Sequence, residues 1–371
     1  MPAWGYLLEY SRKGHFMKVH TFLGSPAEIG KAQGSANPVA ARDYLKFWQD
    51  RAPYDFGNAY FRKNLAFMRR EFPDLIEQIE AFGEAAGMES LEHAYHSHVH
   101  WTGPAMDSCS TLGILLGDDG PAMLSTNDMG AHHVERTVET TVVSTLPDTK
   151  PHGVMGLGSE THVTLGWAVN DAGLLVGANS GHRRFNPDSN PEHLNLYFTV
   201  HLLAQHCSDC ADVRRFVEQY RISGPKGLNL VTVDAAGNVL GLELESENIA
   251  FSEAQDGLLL ETNHWQHPRL QKPSRVAEPQ WWQDYYYYNS QARVMYLAHF
   301  RSVFSRMKTM RDLIDFSFDV HAPGRILQMP DRNIGNIISC QVVFATAKDR
   351  KMRLYLHPLD KSGYKEFCYP Q

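Results

Sequence analysis

The sequence predicts an α+β protein, a four-layer αββα sandwich preceded by a mainly helical region. Three observations carry this expectation. The first hundred residues have the apolar spacing of helices. From Cys109 onward the chain changes to short β-branched runs separated by Asp/Asn/Gly turns, and helix-patterned pairs interrupt those runs. Antiparallel hairpins alternating with helix pairs bury their apolar surfaces best as two stacked sheets with helices outside.

The elements follow in order. Residues 40–51 place Tyr44, Leu45 and Trp48 on one helical stripe, and 59–72 do the same with Phe61, Leu65, Phe67 and Met68. Pro73 suits a helix start, and Leu75, Ile76, Ile79 and Phe82 continue that helix to Ala86. Gly87 reads as its C-terminal stop and Ser90 as the cap of a short helix over 91–95. Beyond Cys109, the runs 112–117 and 122–126 flank Asp118-Asp119-Gly120 as a hairpin. The pairs 163–169 with 174–179, and 229–233 with 238–245, repeat the pattern, and the β-branched stretch 138–146 reads as a further strand. Helices are expected over 194–207, 211–220, 290–305 and 309–316, with a closing strand pair at 337–345 and 351–356.

Composition narrows the function classes. The 371 residues suffice for a large core, and no repeat or low-complexity tract divides them. A net charge of −7 with scattered Lys and Arg gives no electrostatic footing for nucleic acid or an anionic membrane. No run of 18 apolar residues occurs, and residues 1–13 lack the pattern of a secretory signal. Five cysteines are too few and odd for a disulfide scaffold, so a reducing compartment, the cytoplasm, is the expected location.

Cys109 is the most informative residue. It stands in Asp107-Ser108-Cys109-Ser110-Thr111, directly before the apolar run Leu112, Ile114, Leu115, Leu116. A nucleophile at the start of a buried strand is the placement used by N-terminal nucleophile hydrolases. In that class the chain cuts itself before the nucleophile, and the freed α-amine becomes its general base. A thiol needs little activation. An α-amine with a reference pKa of about 7.7–8.0 is partly unprotonated near neutrality.

Further segments carry a resemblance around Cys109. Before it come a glycine-rich stretch, Gly24-Ser25-Pro26-Ala27-Glu28-Ile29-Gly30-Lys31-Ala32-Gln33-Gly34, and a helix from Phe72-Pro73 to Gly83-Glu84-Ala85-Ala86-Gly87. After it come Asn170-Asp171-Ala172-Gly173 leading to Gly177-Ala178-Asn179, then Val233-Asp234-Ala235-Ala236-Gly237, and Glu261-Thr262-Asn263-His264-Trp265. In their order and spacing these resemble the acyl-coenzyme A:6-aminopenicillanic acid acyltransferase-like family of cysteine N-terminal nucleophile hydrolases, over residues 20 to 360. Two positions depart from the family pattern. Ser108 replaces the usual Gly before the nucleophile, and Thr126-Asn127-Asp128-Met129 stands where Asn-Trp-Asp-Trp is usual.

The resemblance implies the following organisation and roles. Residues 1–108 would be a helical pro-region or light chain, and residues 109–371 the catalytic part of one integrated globule. Scission would fall between Ser108 and Cys109. Cys109 would attack an amide carbonyl and form a thioester, Asp128 would hold its α-amine, and Asn263 would donate to the oxyanion. Asn179, by its place in the Gly-Ala-Asn segment, is a second candidate for the oxyanion donor. Arg293 and Arg332 are candidates for the arginine that completes such sites, although either alone reads as a solvated arginine. The substrate would be a small N-acylated amine or amino acid, hydrolysed or used for acyl transfer, with no metal or organic cofactor.

Two rival readings remain. His96-Ser97-His98-Val99-His100 would put three imidazoles on one side of an extended strand, as in a metal-dependent hydrolase. An uncut, non-catalytic binding member of the same fold is the other. Cys207-Ser208-Asp209-Cys210 has the CxxC spacing but joins two predicted helices with no strand before it, which argues against a redox centre. His132-His133 is a weaker metal pattern. The run Trp281 to Tyr288 suits a pocket lining, a homo-oligomer contact or a core edge.

Overall fold

The computed structural model describes residues 18–50, 59–99, 109–181, 190–224, 227–245, 248–270, 288–319, 326–328 and 337–370. Among the described residues, five helices precede Cys109: α1 (Pro26–Ala36), α2 (Pro38–Gln49), α3 (Ala59–Glu71), α4 (Pro73–Ala86) and α5 (Leu91–His98). Ser25 caps α1 in a reciprocal arrangement with Glu28. Gly87 ends α4 at a φ of 73°, a left-handed conformation that favours glycine.

The described residues form two large sheets. One has eight strands: β1 (Lys18–Thr21), β4 (Thr141–Leu146), β5 (Val154–Ser159), β6 (His162–Asn170), β7 (Leu175–Ser180), β10 (Leu228–Val233), β11 (Val239–Glu245) and β12 (Asn248–Glu253), in that spatial order. The other has six, in the order β13 (Leu258–Glu261), β2 (Ser110–Leu116), β3 (Gly120–Gly130), β14 (Ile337–Thr346), β15 (Lys351–Leu356) and β16 (Tyr364–Cys368). A two-residue pair, β8 (Leu194–Asn195) and β9 (Ile222–Ser223), forms a separate ladder. Apart from the parallel pair β1–β4, every pairing within the two large sheets is antiparallel.

Strand alternation builds the layers. Successive side chains on a strand face opposite ways, so a sheet covered on both sides needs apolar residues at neighbouring positions. Met123, Trp167, Val169, Leu175, Val231, Val343 and Ala345 meet between the two sheets. Their neighbours Ala168, Val176 and Leu230 face outward onto Ile79, Phe82, Leu203, Val213 and Val217 of α4, α7 (Thr199–His206) and α8 (Cys210–Tyr220). Leu124, Val342 and Phe344 face the other way, onto Tyr296, Leu297, Phe304 and Leu313 of α9 (Tyr288–Phe304) and α10 (Met310–Asp319). The result is the four-layer αββα arrangement expected from the sequence.

The glycine-rich stretch has a packing reason. Gly30 and Gly34 lie one turn apart on α1, and a Cβ on either would collide with backbone of α4, at the Gln78 and Phe82 carbonyl oxygens. Only glycine permits this approach. Lys18 Nζ and Asn37 Nδ2 reach the buried Glu160 carboxylate at 2.5 and 2.9 Å, fastening β1 and the α1–α2 junction to the turn after β5.

Several expectations are corrected. The stretch 138–146 is not one strand. Helix α6 (Ala131–Thr140) runs to Thr140 and only Thr141–Leu146 is extended. The β-branched residues mark the strand, while Val134 and Val138 give α6 its buried contacts with Ile338 and Cys340. The helix expected at 194–207 begins at Thr199, after strand β8 and one 3-10 turn, because Asn195 caps that turn through the Tyr197 N–H. The closing strand pair is a trio, with β16 added at the sheet edge. His96 and His98 lie on helix α5, not on a strand, so two residues apart they do not share a side. His98 Nε2 accepts from the Val163 N–H at 2.9 Å, and burial lowers its pKa to about 3. His96 packs edge-on against the Phe61 ring, and His100 lies outside the described residues. No cluster of His, Cys, Asp or Glu suited to a metal occurs among the described residues. Among them, too, no helix is long and apolar enough to cross a membrane.

Candidate active site

Cys109 directly precedes β2 and is 7% exposed. Its two backbone polar groups are held by side chains from distant parts of the chain. The Cys109 N–H donates to Asn263 Oδ1 at 3.1 Å, and the Cys109 carbonyl oxygen accepts from Arg293 Nη1. Arg293 also donates to Ser110 Oγ at 2.6 Å and, through Nη2, to Asn263 Oδ1 at 2.7 Å. The planar guanidinium thus joins three acceptors outside its own helix at once, a task suited to its forked donors.

The first turn of α9 makes this possible. Ser290 Oγ accepts from the backbone N–H groups of Asn263 and His264 at 2.8 and 3.1 Å, and donates to Thr262 Oγ1 at 2.8 Å. Asn289 reaches Gln328 Oε1 at 3.1 Å. These bonds seat the helix against the segment after β13, and Arg293, less than one turn further on, points at Cys109. Arg293 is 0% exposed, which corrects the expectation of a solvated helix-face arginine. Its helix carries a buried polar stripe of Asn289, Ser290 and Arg293, the spacing of one helical face.

Asp128 is fully buried on β3. It accepts from Thr126 Oγ1 at 3.1 Å and from Ser339 Oγ at 2.6 Å. Thr126 Oγ1 in turn accepts the Ser110 N–H at 3.0 Å. The carboxyl therefore reaches Ser110, the neighbour of Cys109, through one hydroxyl, while the Cys109 nitrogen is bonded to Asn263. Burial pushes Asp128 up to about 7, opposed by the Arg293 charge and the two hydroxyl donors. Burial also lowers the Arg293 pKa, opposed by Asp128 and Cys109.

The remaining sequence candidates separate. Asn263 Nδ2 donates to the Ser180 carbonyl at 2.7 Å, so one amide hydrogen is used structurally. Asn179 bridges the two sheets: its Nδ2 donates to the Glu261 carbonyl at 3.0 Å and its Oδ1 accepts from Thr111 Oγ1 at 3.0 Å. Ser108, Arg332 and residues 281–287 of the aromatic run lie outside the described residues, and Tyr288 is exposed. Cys207 and Cys210 sit at adjoining helix ends, and burial raises both thiols, Cys210 to about 12, which suits inert cysteines.

Sequence reading missed three contributors. Asn127 Oδ1 lies 3.7 Å from the Cys109 Sγ, and Asn127 Nδ2 donates to Gln341 Oε1 at 2.8 Å. Ser339 holds Asp128, as above. The signal for Asn127 was its place beside Asp128. For Gln341 and Ser339 no local signal exists, because a bulge in β14 sets their register. The shift between Ser339 and Gln341 puts Ser339 opposite Asp128 and Gln341 opposite Asn127.

Several known proteins are similar to this chain. Among solved structures, a mutant of the conjugated bile acid hydrolase from Clostridium perfringens shares 10% identity at a TM-score of 0.42, covering 70% of this chain and 97% of that one. Penicillin V acylase from Agrobacterium tumefaciens shares 12% at 0.40, covering 67% and 83%. The Caenorhabditis elegans ortholog of N-acylethanolamine-hydrolyzing acid amidase shares 8% at 0.44, covering 71% and 100%. No curated protein sequence matches. The sequence profile of one family matches residues 115–359, a span that starts after Cys109 and includes Asp128, Asn179, Asn263 and Arg293. With well over half of its length matched, the chain belongs to the acyl-coenzyme A:6-aminopenicillanic acid acyl-transferase family.

Proposed function

We propose that the protein is a self-processing cysteine amidohydrolase or acyltransferase that acts on a small N-acylated amine or amino acid. The observation that supports this reading is the double grip on Cys109, whose N–H and carbonyl are bonded to the side chains of Asn263 and Arg293. A residue that becomes a chain terminus loses the preceding peptide as an anchor. Its backbone must then be positioned by side chains.

Processing would divide residues 1–108 from 109–371. The Cys109 sulfur attacks the Ser108 carbonyl carbon, the acyl group shifts from nitrogen to sulfur, and water hydrolyses the thioester. The products are a Ser108 carboxylate and a free Cys109 α-amine. In turnover the same sulfur attacks the substrate carbonyl while the α-amine takes the thiol proton. The C–N bond breaks, the leaving amine receives that proton, and water or a second amine discharges the thioester.

The buried charges suit this cycle. A guanidinium near the α-amine disfavours its ammonium form, keeping the base unprotonated near neutrality. A counter-charge on Asp128 would act the other way, and burial keeps that carboxyl protonated up to about 7. Asn263 has two amide hydrogens, and the one not directed at Ser180 is the proposed oxyanion donor.

Intact-mass measurement of the purified protein tests the reading. The wild type should give two fragments divided before Cys109, and Cys109→Ala a single inactive chain. A wild-type protein that turns over N-acyl substrates while remaining whole removes the α-amine mechanism. Full turnover by Cys109→Ala removes the nucleophile.

A further inference from the structure

The Cys109 thiol is the near end of a run of hydrogen bonds that crosses two strands. Asn127 Oδ1 stands 3.7 Å from Sγ, Asn127 Nδ2 donates to Gln341 Oε1 at 2.8 Å, and Gln341 Nε2 donates to Thr141 Oγ1 at 2.5 Å. Thr141 Oγ1 then donates to the Thr137 backbone carbonyl at 2.6 Å.

The run has a single direction, fixed at its far end. A backbone carbonyl can only accept, so the Thr141 hydroxyl hydrogen is committed to Thr137. Toward Gln341 the hydroxyl must therefore accept, which orients the Gln341 amide with Nε2 outward. Gln341 Oε1 then faces Asn127, so Asn127 turns its Nδ2 to Gln341 and its Oδ1 to the sulfur. Each amide orientation follows from the one before it.

We infer that Asn127 and Gln341 are a positioning pair for the Cys109 sulfur, presenting it with an acceptor oxygen that holds the thiol proton and fixes the direction of Sγ. This rests on the proposed role of Cys109 as nucleophile. An acceptor at this distance favours the neutral thiol over the thiolate, because it bonds to S–H and faces a sulfur anion with lone pairs. Among the described residues, the ionisable groups around the site are Arg293 from α9, Asp128 from β3 and His264 from the segment after β13. Arg293 favours the thiolate, and the pair opposes it. The thiol keeps its proton until the attacking step, when the α-amine collects it. The β14 bulge is what allows this. It brings Gln341 to Asn127 while leaving Ser339 on Asp128, two tasks that adjacent positions of β3 demand at once.

The test is the pH profile of Cys109 alkylation by iodoacetamide, read on the Cys109-containing peptide by mass spectrometry, with the cleavage state of each variant fixed by intact mass. Gln341→Leu or Thr141→Val lets the Asn127 amide turn over and offer N–H to the sulfur. The alkylation midpoint should then fall by about one pH unit, the size of one hydrogen bond to a charged group. Thr141→Ser keeps the hydroxyl and should keep the wild-type midpoint. Should Gln341→Leu fail to fold, Thr141→Val reads the same relay from its far end. Unchanged midpoints in folded Thr141→Val and Gln341→Leu overturn the inference, as does an equal shift in Thr141→Ser. This readout does not depend on turnover. An active Cys109→Ala would sink the nucleophile reading and leave the relay measurement standing.

Discussion

The guanidinium of Arg293 donates to the carbonyl oxygen of Cys109 across 184 residues of chain, and both partners are buried. The contact ties the start of β2 to the first turns of α9. The same guanidinium holds Asn263, which holds the Cys109 nitrogen. One side chain therefore organises both ends of the proposed nucleophile's backbone.

Arg293→Lys should separate charge from geometry. Lysine keeps a positive charge but has no planar fork, so it cannot serve Cys109, Ser110 and Asn263 together. The expected outcome is slow or absent scission and a loss of about 10²-fold in kcat in any processed fraction, in the range typical of removing a preorganised donor. Scission and turnover at wild-type rates would show that only the charge matters.

Asn263→Ala removes the acceptor for the Cys109 N–H and the proposed oxyanion donor together. Turnover should fall by about 10²–10³, as for loss of an oxyanion-hole donor in other hydrolases, mainly in kcat. A rise in KM with kcat unchanged would assign Asn263 to uniform substrate binding instead.

Asp128 should make stability depend on pH in an unusual direction. Its folded pKa, about 7, lies above the ordinary carboxylate value of 3.8. Between those values the folded state binds more protons than the unfolded chain, so this group's contribution falls as pH rises from about 4 to about 7. The slope is at most about 1.4 kcal/mol per pH unit. Asp128→Asn should flatten the curve across that window. Denaturant midpoints of both proteins between pH 4 and 8 measure this, and parallel curves would refute it.

Gly30→Ala tests the docking of α1. The added methyl has to push against the Gln78 carbonyl of α4, so the two helices must separate. Overpacking of this kind typically costs about 1–3 kcal/mol. Thermal unfolding should show it as a lower Tm, whereas Gly120→Ala, with open space around the new Cβ but a φ of 74°, should show only the smaller backbone cost.

Much of the fold was legible locally. The turns Asp118-Asp119-Gly120, Asn170 to Gly173 and Asp234 to Gly237 fix their hairpins because their residues tolerate tight reversal, and the flanking strands are apolar on both faces. Helix α4 was bounded by Pro73 and Gly87 for equally local reasons. The misread stretches are those where local preference was overruled. Val134 and Val138 are poor helix formers, yet α6 is held by its packing under β14. His96 and His98 read as extended until α5 ran three residues beyond its expected end.

The site divides the same way. The sequence by itself determined the position of Cys109 at the mouth of a buried strand, and the presence of Asp128, Asn263 and Arg293 in recognisable segments. Tertiary structure decided the partnerships: that Asn263 meets the Cys109 nitrogen, that Asp128 is bonded to Thr126 and Ser339, and that Gln341 accepts from Asn127. The physical reason is reach. Turns and caps are made by neighbours a few residues apart, so their chemistry is written locally. A buried arginine or a bulged strand is positioned by packing between segments far apart in the chain, and no local pattern encodes that distance.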